Sequence, residues 1–174
     1  MFIMAVAVTG TGCSKNNDNT SVSCSLPATS VPAAMIGSWA SGYNSSTQIV
    51  DVYNGQYLGN AWQSGKYFHF SQDGKYAEFY YMASAGLSGS TATKAIGTVT
   101  FGEQEGSFIF HCCKAHYRGW QNGTKTIDRD ATATEASGNL TQKYYYSFET
   151  SGGNTWMQIR FDPSGSPSSF KAVN

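Results

Sequence analysis

The feature that most constrains this chain is an alternation of side chains in steps of two, broken by short glycine turns. Phe68 and Phe70 share one face of a predicted strand, and Gln72-Asp73-Gly74 ends that strand. Successive side chains of a strand point to opposite faces, so this pattern predicts strands with one face in a core. The predicted strands span residues 36–41, 47–53, 67–71, 75–83, 94–101, 107–117, 140–149 and 154–161.

Short strands joined mostly by tight turns are typical of an antiparallel barrel or a sandwich. Two stretches, residues 84–93 and 119–137, are predicted as longer connections, and only a turn near residues 31–36 has helical character. Aromatic residues make up 14% of the chain, which excludes disorder. Eleven basic and eleven acidic residues give a net charge of zero, so no electrostatic basis for nucleic-acid binding exists.

The N-terminus has the layout of an export signal. Residues 1–8 are apolar but far shorter than the ~20 residues of a membrane-spanning helix. Gly12 and Cys13 follow, and then a polar run beginning at Ser14. This order resembles a bacterial lipoprotein signal, which implies lipidation of Cys13 and anchoring to the cell envelope, at the outer membrane. The alternative is a buried N-terminal strand with an unmodified cysteine.

The rest of the chain is predicted as one domain behind a tether. Residues 1–13 would be the signal, residues 14–30 a flexible Ser/Thr/Asn-rich tether, and residues 31–174 a single β domain. No later segment is long and apolar enough for a transmembrane helix, so the lipid would be the membrane contact.

Two short motifs bear on the choice between barrel and sandwich. Gly37-Ser38-Trp39 begins the first strand, Arg160 lies near the end of a late strand, and residues 65–76 form a Gly-Lys-Tyr-Phe run. This combination resembles the lipocalin (calycin) family and its bacterial lipoprotein members. The resemblance implies an all-β, antiparallel up-and-down barrel of about eight strands, with Trp39 closing its floor and Arg160 packed on Trp39. A sandwich is the alternative.

The cysteines allow one disulfide. If Cys13 is lipidated, Cys24, Cys112 and Cys113 are left. Neighbouring residues of a strand point to opposite faces, so Cys112 and Cys113 are poorly placed to bond to each other. One of them could pair with Cys24 and fasten the tether to the barrel. In the alternative both are small buried residues.

Three histidines, His69, His111 and His116, are weak candidates for a metal site. His111 and His116 are five residues apart, so they face opposite sides of a strand unless a bulge intervenes. The alternative is surface histidines without a metal. We recognise no catalytic motif, and we expect no cofactor and assign no catalytic residue.

Tyrosines supply the best candidate ligand site. On two predicted strands the tyrosines occupy alternate positions together with one acid and one amide. We expect the strand face that carries these side chains to point into the barrel. A lone interior Glu78 would need a hydrogen-bonding partner such as a tyrosine hydroxyl or a ligand. The alternative is an interior filled by these side chains. The candidate ligand-binding residues are Tyr76, Glu78, Tyr80, Gln142, Tyr144 and Tyr146.

These features lead to a hypothesis and two alternatives. The leading hypothesis is a lipid-anchored barrel that binds a small amphipathic ligand in its interior or at its mouth. One alternative is an extracellular barrel enzyme, such as a metal-dependent hydrolase that uses the histidines. The other is a surface lipoprotein that binds glycans through Trp62, Trp120 and Tyr145.

Overall fold

The structure, a computed structural model, describes residues 24–44, 48–50, 55, 57–60, 63–86 and 89–173. Short helical turns occur at Ala33–Met35, at Glu103–Glu105, and at Ala133–Glu135 continuing into Ala136–Leu140. The strands are β1 (Gly37–Asn44), β2 (Gln48–Val50), β3 (Tyr57–Asn60), β4 (Gln63–Phe70), β5 (Ala77–Ala85), β6 (Gly89–Gly102), β7 (Ser107–Gln121), β8 (Thr124–Asp130), β9 (Gln142–Ser151), β10 (Asn154–Arg160) and β11 (Ser168–Val173).

Eight strands close into a ring in chain order. The order is β1-β4-β5-β6-β7-β9-β10-β11, and β11 pairs back onto β1, with every pairing antiparallel. The predicted up-and-down barrel is therefore confirmed. The predicted strand at residues 47–53 overlaps β2, which pairs only with β3 in a separate hairpin. Its place in the ring is taken by β11, which the sequence analysis missed.

The two ends of the barrel differ. At the end that holds Trp39, called here the lower end, β7 pairs with β9 through Ser107–Phe110. Towards the other, upper end β7 changes partner and pairs with β8 through residues 116–121. The upper wall therefore consists of β1, β4, β5, β6, β7 and β8, and among the described residues it extends past the closed ring as a mouth.

The two predicted connections are largely strand, which corrects the sequence analysis. β5 extends to Ala85 and β6 begins at Gly89, so most of residues 84–93 is strand, and β8 occupies much of residues 119–137. Asn122 and Gly123 take the positive φ values, 49° and 76°, that a tight hairpin turn requires. Both segments are rich in Ser, Thr and Gly, so they lack the apolar alternation that marks a strand buried on one face.

Aromatic side chains fill the ring. The Phe68 ring lies 5.0 Å from that of Phe79, 5.4 Å from Tyr144 and 5.6 Å from Phe170, between centroids. Phe108 is fully buried and stacks on Tyr144 at 5.1 Å. Burial of each such ring stabilises the fold by about 1.5–3 kcal/mol. A small void of about 10 Å³, room for about one water molecule, lies beside Phe68, Phe79, Tyr144 and Phe170 at the upper edge of the core, where Lys66 and Phe161 also line it.

The lower end is closed by Trp39. Its indole is buried, its Nε1 donates a hydrogen bond of 3.0 Å to the Met35 carbonyl oxygen, and its ring lies 5.9 Å from Phe148. Met35, in the helical turn before β1, is fully buried. Gly37 has φ +104°, a conformation that side chains with a Cβ rarely adopt. The glycine and tryptophan of the Gly-Ser-Trp motif thus have separate structural tasks.

The predicted packing of Arg160 on Trp39 is wrong. Arg160 lies at the upper end of β10, where its Nη1 donates to Ser147 Oγ at 3.2 Å. Trp39 pairs with Ala172, near the opposite end of the neighbouring strand β11. β10 runs from the lower end of the barrel to the upper end, so the last residue of this strand lies far from the floor. The ring that contacts Trp39 is Phe148.

A disulfide fastens the N-terminal segment to the barrel wall. Cys24 bonds to Cys113, with the two Cα atoms 6.0 Å apart, and Cys112 is a buried free thiol. Of the two alternatives left open by the sequence, the structure adopts the one in which Cys24 is paired, with Cys113 as its partner. The Thr29 amide donates to the Val99 carbonyl at 3.0 Å.

Residues 24–30, the last part of the predicted flexible tether, are held against the barrel wall. The disulfide, Thr29 and the bond from Thr98 Oγ1 to the Pro27 carbonyl hold them there. This segment, called here the strap, leads to the floor turn at Met35. Residues 14–23 and Cys13 lie outside the described residues.

Candidate functional site

The predicted ligand residues do not form one site, because those of β5 lie outside the barrel. Ala77 is fully buried and Phe79 packs against the core, so Glu78 and Tyr80, which alternate with them, face outwards. Tyr76, just before β5, hydrogen bonds to Glu78 on that outer surface. Which alternate residues of a strand face the interior cannot be deduced from another strand, because the length of each intervening turn determines where the alternation starts again.

The predicted residues of β9 do face inwards. Tyr144 is buried, and burial raises the pKa of its hydroxyl. Tyr146 packs against the core, and Gln142 shares their face at the upper end of the strand. These tyrosines are core residues, because Tyr144 packs on Phe68 and Phe108 and Tyr146 packs on Phe101 and Phe108. The alternative of a filled interior is the one the structure adopts.

The outward residues form a hydrogen-bonded network on the wall. Glu78 Oε1 accepts from the Tyr76 hydroxyl at 2.5 Å and lies 2.9 Å from Lys94 Nζ. Burial alone would raise the pKa of Glu78, but the bonds from Tyr76 and Lys94 outweigh it and the pKa is lowered. Burial and the Glu78 bond raise the pKa of Tyr76 to about 12. Glu78 thus has the tyrosine partner that the sequence analysis required, on the outer surface.

The three histidines do not converge. His69 Nδ1 hydrogen bonds to Ser38 Oγ at 3.0 Å, and His111 Nε2 to Thr100 Oγ1 at 2.9 Å. A register shift against β6 at Gly97 lets His111 and His116 face the same side of β7, five residues apart. Within the part of the chain that the structure describes, no group of three His, Cys, Asp or Glu side chains could hold a metal ion.

His116 belongs instead to an ion cluster that joins β7 to β8. Its Nδ1 lies 2.8 Å from Asp130 Oδ1 and its Nε2 lies 2.7 Å from Asp128 Oδ1. The bonds to Asp130 and Asp128 raise the pKa of His116, because the imidazolium can donate from both nitrogens. Arg118 and Lys125 also contact Asp128. The cluster is structural and lies on the outer face.

The open mouth presents two rows of side chains on its inner face. The strand register continues the face of Phe79 and Ala95 upwards across β5, β6, β7 and β8. Phenol, hydroxyl and aliphatic groups alternate there, so the surface is apolar with hydrogen-bonding groups at intervals. We call the space above these rows the mouth cleft. The lower row is Tyr81, Thr93, Tyr117 and Arg129, and the upper row is Ala83, Thr91, Gly119 and Ile127.

The mouth cleft is much larger than the interior void. A cavity of about 550 Å³ lies against Tyr81, Ala83 and Ile127, and a second of about 260 Å³ lies against Tyr117 and Arg129. The two are adjacent, because Thr91 and Ile127 line both of them. The Ile127 side chain is 44% exposed inside this cleft. Such volumes lie in the range that holds small organic ligands.

Glycine and the β8 hairpin create the cleft. A Cβ at Gly119 would lie 3.2 Å from Ile127 Cδ1, so a larger residue there would press on the Ile127 side chain. The cleft was not predicted from the sequence, because residues 84–93 and 119–137 lack the alternation of a half-buried strand and are predicted as longer connections. A signal was present in the alternation of Thr124-Lys125-Thr126-Ile127-Asp128, which is that of an exposed strand.

The predicted glycan-binding set does not form one surface. Trp120 lies at the rim of the mouth beside Ser84 and Ser90. Tyr145 pairs with Ser107 near the lower end, and Lys143 Nζ lies 5.1 Å from its ring centre. Trp62 lies outside the described residues.

Comparison with known proteins identifies no family for this chain. No protein-family model matches it, and no curated protein matches it in sequence. Across the described residues, no helix has the length and apolarity to cross a membrane. The function is therefore inferred from the geometry of the mouth cleft.

Proposed function

We propose that this chain is a lipid-anchored, lipocalin-like protein of the bacterial cell envelope that binds a small amphipathic ligand at the mouth of its barrel. One contrast carries this proposal: the interior void is about 10 Å³, whereas the mouth cleft offers about 550 Å³ on one side alone. A small ligand needs both free volume and apolar surface that is not already covered by side chains. The ligand therefore sits at the mouth, above the aromatic core.

The chemistry of the cleft suits an amphipathic molecule. Ile127 and Ala83 give apolar contact, and the rings of Tyr81 and Tyr117 add apolar area together with hydroxyl groups. Thr91, between the two parts of the cleft, adds a further hydrogen-bonding group. A ligand with an apolar body and a few polar atoms would satisfy these groups while displacing water from Ile127.

The disulfide supports the proposed location. Disulfides form and persist in oxidising compartments such as the periplasm and the cell surface. A Cys24–Cys113 bond fits a chain exported by the N-terminal signal, and it leaves Cys13 available for the lipid.

Titration with the neutral fluorophore N-phenyl-1-naphthylamine tests the site. Thr91→Trp would fill the centre of the mouth cleft, because the Thr91 side chain lines both of its parts. We expect saturable binding to the unmodified protein and an affinity at least about tenfold weaker in the variant, a loss of ~1.4 kcal/mol.

Two control variants distinguish a mouth site from binding elsewhere on the barrel. Lys171→Trp adds the same ring on the exposed lower wall, and Tyr144→Phe alters the filled interior. Both should bind the fluorophore as the unmodified protein does. Absence of binding to the unmodified protein, or a loss caused by Tyr144→Phe and not by Thr91→Trp, would refute a mouth site.

A further inference from the structure

Lys66 places an ammonium group on the inner face of the barrel, at the base of the mouth cleft. Phe68 and Phe70 fill the core from alternate positions of β4, and Lys66 continues their face one step towards the upper end. It pairs in register with Tyr81, which lines the larger cavity of the cleft. Directly paired side chains are neighbours, so a cation lies next to the lower row of the mouth.

No carboxylate compensates the charge of Lys66. Its Nζ donates to Ser168 Oγ at 3.1 Å and lies 5.7 Å from the centre of the Phe161 ring. Across the described residues these partners are its only ones, and neither is acidic. Asp162, next to Phe161 in the chain, instead accepts from the Ser164 amide at 2.9 Å and from Ser164 Oγ at 2.6 Å. A half-buried ammonium with neutral partners favours an anion beside it.

The arginine of the lower row is, in contrast, compensated. Arg129 donates from Nη1 to Glu135 Oε2 at 2.9 Å and from Nη2 to Glu135 Oε1 at 2.8 Å. Two parallel bonds to one carboxylate are a strong geometry for an arginine and an acid. Glu135 is therefore engaged by Arg129, and the pair leaves the charge of Lys66 as it is.

The ion cluster beside the smaller cavity adds no excess of negative charge. Arg118 lines that cavity, and its Nε lies 3.2 Å from Asp128 Oδ1, while Lys125 also contacts Asp128. Arg118 and Lys125 balance Asp128 and Asp130 even when His116 is neutral, and an ionised His116 adds positive charge. The described charges around the mouth therefore sum to a positive value, with Lys66 as the uncompensated member.

We propose that the ligand of the mouth cleft is an amphipathic anion, and that Lys66 binds its charged head. The inference rests on the proposed function, since it names the ligand class of the same site. The head, a carboxylate, sulfonate or phosphate group, would accept from Lys66 Nζ at the base of the cleft, and the apolar body would lie along Tyr81 and Ile127. Phe161, whose side chain is 59% exposed, offers apolar contact close to the head.

A matched pair of fluorophores tests the inference: neutral N-phenyl-1-naphthylamine and its anionic 8-sulfonate, 1-anilinonaphthalene-8-sulfonate. The measured quantity is the ratio of the anionic to the neutral dissociation constant. Lys66→Met removes the charge and keeps a flexible apolar stem, so this ratio should rise by about fivefold or more at low salt, with the neutral constant changed less than about twofold. Lys66→Arg keeps the charge and should keep the ratio. Added salt should raise the ratio of the unmodified protein and change that of Lys66→Met less.

Lys171→Met is the matched control, because Lys171 is exposed on the lower wall and its loss changes the net charge by the same amount. It should leave the ratio unchanged. Circular dichroism checks that each variant is folded. An unchanged ratio in Lys66→Met, or an equal rise in Lys171→Met, would overturn the inference and leave the mouth site standing. Failure of both fluorophores to bind the unmodified protein would overturn the proposed function itself.

Discussion

At the scale of single residues, the floor of the barrel shows how two positions of one motif divide their work. Gly37 supplies a backbone conformation, φ +104°, and Trp39 supplies volume and one hydrogen bond to Met35. The indole nitrogen needs that bond because a buried polar group without a partner costs about 1–3 kcal/mol. The closed floor is one reason why the free space of the barrel lies at its other end.

Trp39→Ala should lower the free energy of unfolding by about 3–5 kcal/mol, because it deletes a buried aromatic ring and orphans the Met35 carbonyl. Urea denaturation measures the loss. Trp156→Ala is the matched control: Trp156 is half-buried on β10, and its loss should be nearer to 1 kcal/mol. If Trp39→Ala shifts the midpoint no more than the control does, Trp39 does not close the floor.

At the scale of elements, the strap and the β8 hairpin give the barrel its asymmetry. The strap fixes residues 24–30 against β6 and β7 before the chain enters the floor. Cys13 precedes Cys24 by eleven residues, so the proposed lipid on Cys13 would lie within about 40 Å of the wall even with the chain extended. The β8 hairpin extends the wall at the opposite end and supplies Ile127 and Arg129 to the cleft.

Anchoring predicts a difference between two cysteine variants. Expressed in a bacterium, the full-length protein should partition into the detergent phase, because lipid on Cys13 carries it there. Cys13→Ser should release it or leave it unprocessed, whereas Cys24→Ser removes the disulfide and should leave partitioning unchanged. Equal partitioning of the unmodified protein and Cys13→Ser would contradict the lipid anchor.

At the scale of the whole molecule, the sequence allowed the fold to be predicted better than the site. Alternation identified most of the barrel wall, since the core side of those strands is aromatic. It missed β11, a short strand whose one buried side chain is Phe170. It also failed for the upper wall, where both faces meet water and carry Ser, Thr and Gly, so no contrast between faces is visible.

The site could not be predicted for a related reason. Which face of a strand is interior depends on turn lengths, so Tyr76, Glu78 and Tyr80 were placed inside when Ala77 and Phe79 occupy that side. Whether a barrel is hollow depends on how rings from different strands interlock, as Phe68, Phe108 and Tyr144 do. Neither property can be read from a local pattern.

The central claim of the proposed function is that a ligand binds at the mouth of the barrel, above the filled interior. Amide chemical-shift mapping by NMR, during titration with N-phenyl-1-naphthylamine, is the most direct test of that location. We expect saturable shifts at Thr91, Thr93, Tyr117 and Ile127, with the amides of Phe68 and other core residues unchanged. Shifts concentrated in the core, or none at the mouth, would contradict it.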